Sequence, residues 1–139
     1  MKNEGVPKIN IRLLQLLFTL MFLLLSFESW HTILAHRTAW EPTRAAAWCM
    51  WGGYSIIAFI GIRQPLKMLP IVLFEIIYKT TWLIIVALPL YRAGTLVGSP
   101  AEGMARIDIW VIFPIIAMPW RYFFKTYIWV KQNNAPKNI

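Results

Sequence analysis

Charge is what this sequence has least of. Asp, Glu, Lys and Arg make up 14% of its 139 residues, against roughly 25% in soluble proteins. That shortage argues against an ordinary water-facing surface. Acids are scarcest, six against fourteen Lys and Arg, which leaves a net charge of +8. Cysteine is nearly missing too. Cys49 stands alone, which excludes an internal disulfide and any cysteine-based metal centre or CxxC redox site. There are two histidines, His31 and His36. Five residues apart, they point about 140° away from each other on a helix, so they do not clasp one ion as an i,i+4 pair would. No third ligand of the zinc type stands beside them. GxSxG, HExxH and glycine-rich phosphate loops are all missing, which argues against an enzyme and leaves catalytic residues, metal and cofactor all as none.

What is present is apolar sequence in long runs, with 58% of residues hydrophobic. Cations gather at the ends of these runs and form no separate basic face, so the positive charge does not mark a nucleic-acid footprint. The runs predict one all-α domain, a four-transmembrane-helix bundle with spans at about 11–33, 45–62, 68–91 and 107–129.

The third run, from Met68 to Tyr91, anchors the reading. As a helix it extends roughly 36 Å, enough for a hydrocarbon core of about 30 Å. Yet it carries Glu75 and Lys79 in its interior. Each ionisable group at mid-membrane costs roughly 2.5–3.5 kcal/mol on insertion scales. Spaced i,i+4 with the acid first, the two are placed to pair. Ile71, Glu75, Tyr78, Lys79, Trp82 and Val86 share a face predicted to look into the bundle. Leu73, Ile77, Ile84 and Leu88 share one predicted to meet lipid.

In the first run, Arg12, Gln15, Thr19, Ser26 and Trp30 form a thin polar stripe suited to neighbouring helices. The basic leader before it also fits a signal peptide, but a small-x-small cleavage site is poor here, so the segment reads as a span. Glu28 and His31, three apart at its end, form a pairing or cofactor candidate. Thr43 is the expected N-cap of the second run. There Ala45, Cys49, Gly52 and Gly53 make a small-residue seam for helix packing, while Trp48, Trp51 and Tyr54 suit an interfacial aromatic belt. Residues 61–65 predict a tight break, making spans two and three antiparallel neighbours.

Ser99, Pro100 and Glu102 match a capping box, with Arg106 one turn beyond. Pro114 and Pro119 predict a kinked fourth helix. Arg121, Lys125 and Trp129 suit lipid-headgroup anchoring. One set of ends holds Lys2, Lys8, Arg12, Arg63, Lys67, Arg121, Lys125, Lys131 and Lys137, and the other holds Arg37, Arg44, Arg92 and Arg106. That bias predicts cytoplasmic termini, in a bacterial inner membrane. The functional expectation is a non-enzymatic integral membrane protein acting through helix packing, as an assembly partner of other membrane-protein subunits or as a homo-oligomer. The alternatives are a small proton- or ion-coupled transporter or channel using the Glu75–Lys79 face, and a haem- or quinone-binding redox anchor near His31.

Overall fold

The computed structural model describes residues 5–129. Lys2, Lys131 and Lys137 of the predicted charge bias lie outside them. The described residues contain helices and no strand. We number five: α1 (Lys8–Ala35), α2 (Pro42–Arg63), α3 (Leu69–Arg92), α4 (Glu102–Ala117) and α5 (Trp120–Ile128). The first three are long and apolar enough to cross a membrane, and α4 with α5 qualifies if the bent pair is taken as one.

Each helix end has a visible cause. Pro42 opens α2 at its first turn, where a missing N–H is harmless. Its N-cap is Glu41, not Thr43: the carboxylate accepts from the N–H of Thr43 at 2.9 Å and of Arg44 at 2.6 Å. A two-oxygen acceptor satisfies two free N–H groups at once, which one hydroxyl does not. Those two bonds, the one from Thr43 first, hold the Glu41 carboxyl below the usual carboxylate range. Beyond Arg92, Gly94 adopts a φ of 67° and the chain turns back, Thr95 N–H donating to Leu90 O at 3.0 Å. This is a left-handed helix stop. Before α4, Glu102 reaches back to accept from Gly98 N–H at 2.7 Å, and Ser99 Oγ accepts from Ala101 N–H at 3.3 Å. The expected reciprocal cap is therefore not formed: the helix starts after Ala101, and each side chain bonds a backbone N–H one residue away from the one a capping box uses.

The predicted kink is a sharp bend: α4 and α5 diverge by 71°. Met118 takes an extended ψ of 120° directly ahead of Pro119, as proline's Cδ demands of the residue before it. Pro114 stays buried within α4 and does not break it. Asn10 Nδ2 donates to the carbonyl of Ala117 at the break.

The core lies between the helices. Leu14, Phe18, Ala58, Leu69, Val72 and Ala117 are fully enclosed. Two residues of the polar stripe of α1 bond α2: Gln15 Nε2 donates to Ile62 O at 3.4 Å and Trp30 Nε1 donates to Ser55 Oγ at 3.3 Å, while Thr19 bonds its own helix and Arg12 is exposed. These bonds set α1 and α2 antiparallel. Gly61 continues α2 instead of breaking it, and the turn falls at residues 64–68. There Tyr127 OH, from α5, donates to Leu66 O at 2.8 Å and Lys67 O at 3.2 Å. The start of α1, the α2–α3 turn and α5 therefore share one end of the molecule.

Candidate functional site

Burying charge in an apolar interior is costly unless it is paired. α3 does so in its middle. Glu75 is buried, and its Oε1 lies 2.8 Å from Lys79 Nζ. The i,i+4 spacing brings them together on one helical face. The faces of α3 follow the wheel. Ile71, Tyr78, Lys79, Trp82 and Val86 are half-buried, while Ile77, Ile84 and Leu88 are exposed. Leu73 is the exception, half-buried and packed on the core. The second oxygen of Glu75, Oε2, is buried and makes no hydrogen bond.

The neighbouring helices complete the cluster. Asp108, on α4, is 3% exposed and interacts electrostatically with both Lys79 and Glu75. Tyr78, on the same face of α3, is half-buried and packs on Phe74, ring centroids 5.5 Å apart. From α2 comes Tyr54, buried, its hydroxyl donating to Ile71 O at 3.1 Å. Among the described residues the ion pairs are Glu75–Lys79 and the exposed Glu102–Arg106. Asp108 therefore enters the interior with no countercharge of its own within ion-pair distance. Two acids and one base thus lie between α3 and α4, with Tyr54 of α2 bonded to α3 beside them.

Immediately beyond Lys79, residues Leu83–Ala87 of α3 are π-helical. Opposite, Ile109–Val111 of α4 winds as a 3₁₀ turn directly after Asp108. Departures of this kind recur at functional sites, because they re-aim side chains without ending the helix.

The other candidates are placed elsewhere. Glu28 and His31 are both exposed on the outer face of α1, with no ion pair between them, and His31 stacks on Phe27. His36 lies past the helix end, stacked on Trp40 at 3.6 Å. Among the described residues no three His, Cys, Asp or Glu side chains gather as metal ligands would. The small-residue seam is divided. Gly52 is buried, a Cβ there standing 3.4 Å from Ile33 and 3.5 Å from Trp30. Cys49 is exposed, Ala45 half-buried, and Gly53 faces open space. Arg121, Lys125 and Trp129 are all exposed on or just past α5.

Sequence reasoning missed three residues. Asp108 carries no local signal of burial, although a helix starting at residue 102 places it about 9 Å along the axis. Tyr54, expected in the aromatic belt, is instead buried against α3, whereas Trp48 and Trp51 are half-buried and edge-to-face at 4.9 Å. Gly61 was read as a breaker; a Cβ there would stand 2.5 Å from the Phe18 ring. No family model, curated protein or solved structure matches this chain, so its function has to be read from its own side chains.

Proposed function

We propose that this is a small four-span membrane protein that binds and releases a proton or small cation at the Glu75–Lys79–Asp108 cluster. It would serve as a transporter or channel built from more than one copy. The observation that carries the reading is Asp108. A carboxylate already neutralised by Lys79 is a poor exchanger, but a second acid beside the pair leaves one negative charge in excess. Ionisable groups at such depth default to ion or proton pathways, and a bound proton or cation restores neutrality.

Proton flux into proteoliposomes tests it, comparing parent, Asp108→Asn and Glu75→Gln. Flux in the parent that Asp108→Asn abolishes supports the reading. A parent without flux, or variants equal to it, removes it. A second reading, an assembly partner of other membrane subunits, is favoured by the apolar outer ridge of α1, where Leu20, Leu23, Leu24, Phe27 and Leu34 are exposed. Protein that stays monomeric in detergent with nothing copurifying would count against it.

A further inference from the structure

The end of the molecule formed by the start of α1, the α2–α3 turn and α5 carries Lys8, Arg12, Arg63, Lys67, Arg121 and Lys125, every one exposed. None is ion-paired among the described residues. No described acid shares that end: Glu28, Glu41 and Glu102 lie toward the other, and Glu75 and Asp108 are buried between helices. The opposite end mixes signs, Arg37, Arg44, Arg92 and Arg106 alternating with those three acids. A one-signed collar repels itself, so it persists where something anionic faces it.

The shape of α5 says what faces it. After the 71° bend this helix turns aside from α4, with Phe123 packed inward and Phe124, Ile128 and Trp129 exposed beside Arg121 and Lys125. Interleaved aromatic and basic side chains on a helix set across the axis of a span suit the boundary between headgroups and acyl chains. Tyr127, bonded to Leu66 and Lys67 carbonyls, fixes that helix to the α2–α3 turn, so cations from three segments are held as one surface. We propose that this collar binds anionic phospholipid headgroups.

Full-length protein in neutral detergent, titrated with phosphatidylglycerol or phosphatidylcholine and followed by native mass spectrometry and thermal unfolding, tests the proposal. The parent should retain phosphatidylglycerol preferentially and gain Tm from it, in a salt-sensitive way. Lys67→Gln with Arg121→Gln and Lys125→Gln should lower that affinity about a hundredfold. Arg37→Gln with Arg44→Gln and Arg92→Gln, which removes as much charge from the far end, should leave it unchanged. Equal retention of the two lipids overturns the proposal, as does an equal loss in both triple variants. So does inorganic phosphate giving the same Tm gain, which would mark a free-anion site. All six positions are exposed, and circular dichroism checks that both variants fold.

Discussion

Where α1 meets α2, the fit is one of shape: Gly61 leaves room for the Phe18 ring, Gly52 for Trp30 and Ile33, and none of the buried residues on either helix is charged. Where α3 meets α4, the fit is organised around charge, with Glu75, Lys79 and Asp108 enclosed together. The first pair of helices is regular from end to end. The second carries a π-helical segment, a 3₁₀ turn and a 71° bend. A neutral, close-packed contact tolerates no added volume. A charged one tolerates irregular backbone but not an unbalanced charge. The contrast separates a half held by shape from a half held by charge.

Removing the countercharge gives the largest expected effect. Lys79→Met should destabilise by about 3–5 kcal/mol, because it strands buried carboxylate. Glu75→Leu combined with Lys79→Met removes the pair together and should cost much less. Chemical unfolding in mixed micelles reads both. A double variant as unstable as the single one would break the contrast, since charge balance would then not govern this half.

Volume is the corresponding test of the neutral half. Gly61→Ala should cost about 1–3 kcal/mol by driving a methyl group into the Phe18 ring, which is itself fully buried. Gly53→Ala, on the same helix but facing open space, should be neutral or stabilising by up to about 1 kcal/mol, since alanine is the better helix former. The same unfolding assay separates them. Identical shifts for the two would mean that shape does not hold α1 to α2.

The same division explains how much could be read from the residues alone. Apolar runs and their period are local properties, so α1, α2 and α3 are legible within a few residues, and the i,i+4 spacing of Glu75 and Lys79 already implies their ion pair. Asp108 is different. Its place beside that pair depends on where α4 docks on α3, a contact between segments roughly thirty residues apart in sequence that no local pattern encodes. Gly61 fails to announce itself for a related reason: a glycine near a helix end reads as a stop until the ring from another helix is seen beside it. Pro119 announces a kink, yet the angle depends on what α5 finds to bond, and that is the Leu66 and Lys67 carbonyls.

The neutral half also has a charge-dependent cap, and it gives the smallest effect. Glu41 caps α2 through two backbone N–H groups, with its carboxyl held below the usual range. A carboxyl whose folded value is depressed adds stability above its unfolded value, near pH 4, and that stability is lost as pH falls through the lower folded value. Glu41→Gln should therefore lower Tm slightly at about pH 7, by less than either substitution above, and the gap should close below about pH 4. Thermal unfolding of parent and variant across that range measures it. A gap that persists undiminished in acid would mean that the cap acts through geometry alone, making the α1–α2 half independent of charge throughout.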